Sequence, residues 1–417
     1  VTASTLTTAR TFLDDLTQVV EGVRAGAVRR DRERQYAVAE IDQLRELGFW
    51  SLTVPVEHGG LGLDQETLVQ AVLLVAAADG SLGQIPQNHF MTVERIRLTA
   101  APGQREHWLR VLGAGAVLGN ASAEPGERPP GESASALHGG PGSWRLTGRK
   151  VYSTGALLAD HIAVQVRDPS GAQRTVLVPR DADGVVVHDD WQSMGQRTTA
   201  SGVSEYHEVA IDDIAVLDHP GDPVATYRVS ALGQLVHAAI DAGLAEGAVG
   251  EALALARTVH GGRGSGAREF GDDVLGVALL GELRVTALSA RRLVESAARR
   301  LAALEQDSSL EEVADVFYEV AAAKLASTRA ALTATAGLFE VGGSSSTRPE
   351  LGLDRYWRDA RTHTLHDAAR WKPFAIGRWL IAGDVADPWS IAHPFRPLGE
   401  LEQQVDHAGP ASDRSAS

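Results

Sequence analysis

Residues 161–178 read His161-Ile162-Ala163-Val164-Gln165-Val166-Arg167-Asp168-Pro169-Ser170-Gly171-Ala172-Gln173-Arg174-Thr175-Val176-Leu177-Val178. Two short apolar runs, His161 to Val166 and Thr175 to Val178, flank the turn signal Asp168-Pro169-Ser170-Gly171, so the stretch predicts a pair of β-strands. Further strand-like segments lie on either side, at Trp144 to Leu146, Val185 to Val187 after Asp183-Gly184, and Ser204 to Ile211. Together they predict a small antiparallel β domain. The Gly-, Pro- and Ser-rich residues Glu124 to Ser143 read as a long loop leading into it.

Moving outward, both flanks switch to helical periodicity. Ala9, Phe12, Leu13, Leu16, Val19, Val20 and Val23 share one face of an amphipathic opening helix. A second helix through Ile41, Leu44 and Leu47 runs into Gly48, and Leu68 to Ala78 is apolar nearly all round, as a buried helix would be. On the other flank Leu232, Val236, Ile240 and Leu244 recur at helical spacing, and Val274 to Ala303 is another long helical stretch. Val313, Val316, Phe317 and Val320 begin a third, which ends at Gly342-Gly343. The expected order is a helical N-domain (1–118), a central β domain (119–220), a C-terminal helical bundle (221–400) and a polar tail (401–417), disordered from Gly409.

Composition bounds the function. A chain of 417 residues, 44% hydrophobic and 22% charged, is an ordinary globular protein with a sizeable core. It has no cysteine, which removes disulfides, thiolate nucleophiles and cysteine-ligated metals, so redox chemistry has to come from a bound cofactor. A formal charge of -15 argues against a nucleic-acid partner. No apolar run is long enough for a membrane span and no signal-peptide pattern opens the chain, which makes the cytoplasm the default expectation.

Gly113-Ala114-Gly115 with Gly119 has the wrong spacing for a dinucleotide loop, and it follows a helical segment, Arg105 to Leu112, where a strand is required. No nicotinamide site is therefore expected. The densest cluster of chemistry-bearing residues is Arg358-Asp359-Ala360-Arg361-Thr362-His363-Thr364-Leu365-His366-Asp367. Its two histidines, three apart, could share a helical face, but further metal ligands are not evident nearby, so no metal is expected. Asn88-His89 lies in a region without strong periodicity, where a lone histidine is more often structural than catalytic. Tyr152-Ser153-Thr154-Gly155 and Gly195 to Gly202, including Arg197 and Thr199, are turns rich in short hydrogen-bonding groups.

These residues carry a resemblance to the acyl-CoA dehydrogenase superfamily, running from about Arg34 to Gly383. Gly48-Phe49, Pro55 and Gly59-Gly60-Leu61-Gly62 look like its N-terminal domain, Glu124-Pro125 and Gly148-Arg149-Lys150 like its middle domain, and Arg358-Asp359-Ala360-Arg361 like the approach to its C-terminal active-site loop. Gln87-Asn88-His89-Phe90, Tyr152 to Leu157, Gly195 to Gly202 and Thr362 to Asp367 are most similar to the branch of dibenzothiophene monooxygenase and related sulfur-compound monooxygenases. A dehydrogenase needs a carboxylate to take an α-proton, and its usual glutamate follows the Arg-Asp-Ala-Arg-like segment. Here that stretch supplies Thr and His, which suits proton handling near neutral pH.

The resemblance implies that the C-terminal bundle is a four-helix bundle. It also implies a two-component enzyme that uses reduced flavin and dioxygen through a C4a-hydroperoxide to oxygenate a small organic substrate, at sulfur. The cofactor implied is FMN, with FAD the alternative, and a separate flavin reductase supplies it by diffusion to a homotetramer. By the same resemblance Asn120 and Ser153 approach the flavin's reactive edge with Tyr152 and Thr154 near them. His366 is the leading catalytic contact, His89 a second and His363 a weaker one, while Arg197 and Thr199 join the cofactor contacts. Two departures stand out. Val93 occupies the position where the dibenzothiophene enzymes carry a tyrosine, which points away from an aromatic sulfide, and the phosphate-gripping arginine segment is altered around Arg257 to Arg263. Three alternatives accompany this reading: an acyl-CoA dehydrogenase with bound FAD, a flavin-dependent amine N-hydroxylase, and a noncatalytic flavin-binding protein.

Overall fold

The computed structural model describes residues 3–126, 135–219, 221–262, 264–389, 391 and 395–407. Six helices precede the sheet: α1 (Ala3–Glu33), α2 (Val38–Glu46), α3 (Gln65–Ala78), α4 (Gly80–Gln84), α5 (Gln87–Thr99) and α6 (Pro102–Gly113). On α1, Phe12, Leu16, Val20, Val23 and Ala27 are buried, the single face that the spacing predicts. Gly48 follows α2 with φ 83°, a left-handed conformation that costs glycine little. The Arg30 guanidinium, buried at the end of α1, pairs with Glu40 and with Asp79 Oδ2 at 2.9 Å. Asp79 in turn caps α4, its Oδ1 accepting from the N–H groups of Ser81 and Leu82.

Asn88 and His89 are helical, on α5. The absence of periodicity there has a physical cause: Gln87 to Phe90 and Thr92 to Ile96 are all buried, so the helix has no solvent face to create an amphipathic pattern.

The β domain comprises β1 (Leu118–Ala121), β2 (Ala136–His138), β3 (Trp144–Lys150), β4 (His161–Arg167), β5 (Gln173–Pro179), β6 (Val185–Val187), β7 (Ser204–Ile211) and β8 (Val216–Asp218). β4 and β5 form the expected hairpin, with Ile162 opposite Val178 and Val164 opposite Val176. Its turn is held by Asp168 Oδ1, which accepts from the N–H groups of Ser170 and Ala172. The domain is not purely antiparallel, however. β1 runs parallel to β4, and β2 meets β4 in parallel at Ala136–Arg167. Part of the expected loop Glu124 to Ser143 is also ordered, since β2 pairs with β3, while residues 127–134 lie outside the described residues. β4 is buried on both faces at Ile162, Ala163 and Val164 because the sheet shares one apolar core with Ile96, Trp108, Leu109 and Leu112 of α5 and α6.

The remaining elements are α7 (Pro223–Ala256), α8 (Val274–Ala302), α9 (Leu310–Gly342), α10 (Asp354–His363), α11 (Lys372–Ala382), a small hairpin of β9 (Asp384–Ala386) and β10 (Phe395–Pro397), and α12 (Leu398–His407). The long helices α7, α8 and α9 pack on one another, with α10 and α11 against α9. α7 also crosses α3 closely: a Cβ at Gly247 would come within 2.4 Å of the Ala77 carbonyl oxygen. Helix extends past residue 400, where a polar tail was expected, because Leu401 is buried against the core; residues 408–417 lie outside the described residues.

Candidate functional site

Two groups of polar residues meet at α10. The first is a lip on the β domain. Directly after β3 the chain turns back on itself, with the Asn120 N–H donating to the Thr154 carbonyl at 2.9 Å and the Gly155 N–H to that of Thr199 at 2.9 Å. Tyr152, Gln196 and Ala200 all have positive φ, between 48° and 53°. Such conformations are costly for residues with a Cβ, and their concentration in two adjoining turns marks a place where the fold dictates the backbone. Tyr152 is 61% exposed and stands edge-on to Trp191, whose indole N–H donates to the Gln196 carbonyl.

Within this lip neighbouring hydroxyls point to opposite sides. The Ser153 hydroxyl is fully buried against Ser204 Oγ of β7 at 2.8 Å, whereas Thr154 Oγ1 lies 2.8 Å from Ser201 Oγ, which also contacts Thr199 Oγ1 at 2.7 Å. Ser153 is therefore turned into the β domain, and the hydroxyl available along this turn is that of Thr154. Asn120 Nδ2 donates to the Tyr152 carbonyl, and Arg197 is half-buried with no hydrogen-bond partner for its Nε.

His89 sits apart, with both ring nitrogens in use. Leu118 N–H of β1 donates to Nδ1 at 3.2 Å, so the proton is on Nε2, which donates to the Trp50 carbonyl at 2.6 Å. Burial pushes its pKa down to about 4. As placed, His89 is a neutral strut under β1, whose contact Leu118 lies two residues before Asn120.

The second group lies among the helices. Asp241 on α7 is fully buried, and its Oδ2 accepts from Lys324 Nζ at 2.6 Å and Thr328 Oγ1 at 2.8 Å, both on α9. Its Oδ1 accepts from His363 Nδ1 at 2.6 Å, and His363 Nε2 is 2.9 Å from His237 Nδ1. The His237 ring lies against that of His366, centroids 4.0 Å apart. Burial alone would raise the Asp241 pKa, but the Lys324 ammonium and His363 outweigh it and hold the carboxyl well below its usual range.

His366 keeps an exposed side although protein surrounds most of its ring. This crowding, with His363 and the Lys324 ammonium close by, pushes its pKa down to about 4. Its ring makes no hydrogen bond to protein among the described residues. The adjacent Asp367 is ion-paired with Lys372 Nζ at 2.7 Å, which outweighs burial and keeps it ionised. Among the described residues no three His, Cys, Asp or Glu side chains converge as metal ligands.

α10 ties the two groups together. Midway along it the Gln196 N–H donates to Asp359 Oδ1 at 2.5 Å, and Gly195 approaches so closely that a Cβ would lie 2.0 Å from the Arg358 carbonyl oxygen. The Gln196 side chain also reaches the Gly80 carbonyl on α4, so all three domains meet there. One turn further on, α10 carries His363. Burial, aided by Asp31 and Asp79, raises the Asp359 pKa to about 7.

His237, Asp241, Lys324 and Lys372 do not emerge from motif reading. A signal did exist: His237 and Asp241 are one turn apart in the otherwise apolar run Leu235 to Leu244, the spacing of two polar groups on one face of a buried helix. The glycines at 113–119 run from α6 into β1, helix then strand, the reverse of a dinucleotide loop. Arg263 of the altered arginine segment lies outside the described residues.

Comparison with known proteins adds the lineage. Residues 7–116, 121–209 and 235–371 match the N-terminal, middle and C-terminal domains of acyl-CoA dehydrogenase. The chain is 32% identical to a dibenzothiophene monooxygenase of Rhodococcus qingshengii, over 89% of this chain and 93% of that one. It is 30% identical to the probable FMNH2-dependent monooxygenase SfnC of Pseudomonas putida, over 85% of this chain and 91% of that one. The crystal structure of FMN-bound TdsC from Paenibacillus sp. A11-2 superposes with a TM-score of 0.86 at 28% identity, covering 91% of this chain and all of that one. The chain belongs to the acyl-CoA dehydrogenase superfamily, in its flavin-dependent monooxygenase branch.

Proposed function

We propose that this chain is the oxygenating component of a two-component system, taking reduced FMN from a separate reductase and adding one oxygen atom of dioxygen to a small sulfur compound. The observation that carries this reading is the pairing of Asp367 with Lys372 beside an exposed, neutral His366. An α-proton base has to be a carboxylate free to accept a proton, and Asp367 is held ionised with a lowered pKa, which makes it a weak base. His366 instead presents ring nitrogens without protein partners, able to donate or accept a hydrogen bond.

The lip fits FMN by its chemistry. Thr154, Thr199 and Asn120 supply hydrogen-bonding groups, Tyr152 supplies aromatic surface, and the Arg197 Nε, buried without a partner, suits a phosphate. When bound, reduced FMN supplies two electrons and activates dioxygen, by the C4a-hydroperoxide route that the resemblance implies. His366 hydrogen-bonds at the reacting oxygen, the His237 ring holds it from behind with His363 fixing His237 in turn, and the Tyr152–Trp191 pair limits water entry. Ser153 and His89 position the lip and β1 without touching the ligand. The exposed apolar side chains of Val274, Leu275 and Val285 on α8, and of Leu380 and Ile381 on α11, favour self-association, in keeping with a homotetramer.

The test is reductase dependence. Protein with FMN, NADH, oxygen and a panel of sulfides and sulfinates is expected to form oxygenated product only when a flavin reductase is added. Equal product without reductase would contradict the two-component reading, and bleaching of bound flavin by an acyl-CoA would support the dehydrogenase alternative.

A further inference from the structure

Asp241, Lys324, Thr328, His363 and His237 form a hydrogen-bonded chain in the bundle interior that ends on the ring of His366. Apart from Thr328, at 8%, no member exposes more than 1% of its surface. Burying a carboxylate and an ammonium is costly, and replacing such a pair by packed apolar residues is often neutral or stabilising, so stability alone gives little reason for it. The charges around the histidine cluster balance in two pairs: Asp241 of α7 against Lys324 of α9, which act on His363, and Asp367, next to His366, against Lys372 of α11. With all three histidines neutral, the cluster carries no net charge.

Hydrogen-bond logic then fixes every proton along the chain. An ionised carboxylate only accepts, so His363 Nδ1 carries the proton that points at Asp241 Oδ1. The Nε2 of a neutral His363 is consequently a lone pair, and His237 Nδ1, 2.9 Å away, has to donate to it. One orientation and one tautomer result for each ring. The His237 ring is thereby locked against His366, centroids 4.0 Å apart and the planes tilted by 36°.

We propose that Asp241 is a positioning residue for the oxygenation reaction, acting through His363 and His237 to fix the orientation in which His366 meets the reacting oxygen. This rests on the role given to His366 above. Lys324 is the counter-charge that allows Asp241 to stay ionised, and His237 is the surface on which the His366 ring is held. The bundle interior thus serves the site as a rigid backing for one imidazole that has no hydrogen bond of its own.

The experiment uses Asp241→Asn combined with Lys324→Met, which keeps volume and charge balance but gives His363 a neutral amide that can turn either way. A role confined to the salt bridge predicts no change in this pair. The proposal predicts a fold and flavin affinity like wild type, kcat lower by about tenfold or more with KM nearly unchanged. It also predicts several-fold faster modification of His366 by diethylpyrocarbonate at neutral pH, read by peptide mass spectrometry. His237→Asn, which removes the stacking ring while leaving both charges, is expected to give the same two changes and serves if the double variant does not fold. Unchanged kcat together with an unchanged His366 modification rate in the folded variants overturns the proposal. If the wild-type protein oxygenates nothing, the functional reading fails, and the modification rate, which needs no turnover, still decides whether Asp241 positions His366.

Discussion

The lip of the β domain and the interior of the helical bundle both present polar side chains to the same site, yet they are held by different physics. In the lip the order comes from the backbone: carbonyls and N–H groups of residues 120, 153–155, 199 and 202 satisfy one another, and the hydroxyls of Thr199 and Ser201, both buried, form a short chain that ends on half-buried Thr154. Hydrogen bonds of this kind contribute about 1 kcal/mol each. In the bundle the order comes from charge. Asp241 and Lys324 have no water to fall back on, so each depends on the other, and removing one leaves the full penalty of an unpaired buried ion. The lip can therefore be adjusted in small steps, while the interior keeps its arrangement as a unit or loses it.

The largest expected effect sharpens this contrast. Asp241→Ala strands Lys324 and is predicted to cost about 3–5 kcal/mol, visible as a large fall in denaturation midpoint. A loss below about 1 kcal/mol would mean that the interior tolerates change as the lip does. Next in size, His366→Ala is expected to lower the oxygenation rate by about two orders of magnitude with little effect on thermal stability, because its ring has no protein hydrogen bond to lose.

Acid is the third probe. His89 and His366 are pushed down to about 4, and His237 and His363 are also lowered, all led by burial. An unfolded histidine takes up a proton below about 6.5, whereas these stay neutral in the fold. Their contribution is full above that pH and is lost as pH falls toward 4; for His89 alone it amounts to about 2 kcal/mol by pH 5. Asp359, raised to about 7, works in the opposite sense, stabilising below the unfolded carboxylate pKa and losing that contribution as pH rises through 7. With four groups against one, the melting temperature is predicted to drop between pH 7 and pH 5. His89→Asn should flatten that slope, and an unchanged slope would contradict the buried neutral assignment.

The smallest effects belong to the lip. Thr154→Val is expected to weaken reduced-FMN binding by about 1 kcal/mol, measured by anaerobic titration, while Ser153→Ala costs similar stability with no change in FMN affinity. The reverse pattern would return Ser153 to the ligand-facing role that the resemblance implies.

Much of the fold is legible in the sequence where a face is half wet. α1 and the β4–β5 hairpin announce themselves through periodicity and the Asp168 turn. Legibility fails where burial is complete: α5 has no polar face to mark it as a helix, and β1 and β2 are short strands whose pairing with β4 is set by distant parts of the chain. The same holds for the site. His363 and His366 stand out in a dense polar motif, but His237 and Asp241 on α7 lie more than about 120 positions away and Lys324 on α9 about 40, joined only by the bundle. Ser153 and Thr154 are adjacent and chemically alike, and only the backbone turn after β3 decides which hydroxyl faces β7.

The most direct measurement is a single turnover of protein loaded anaerobically with reduced FMN, mixed with ¹⁸O₂ and a small sulfide, with the product analysed by mass. The account predicts a sulfoxide carrying one ¹⁸O atom and little hydrogen peroxide. Peroxide in full yield with no labelled product from any sulfide or sulfinate, together with flavin reduction by an acyl-CoA, would contradict it.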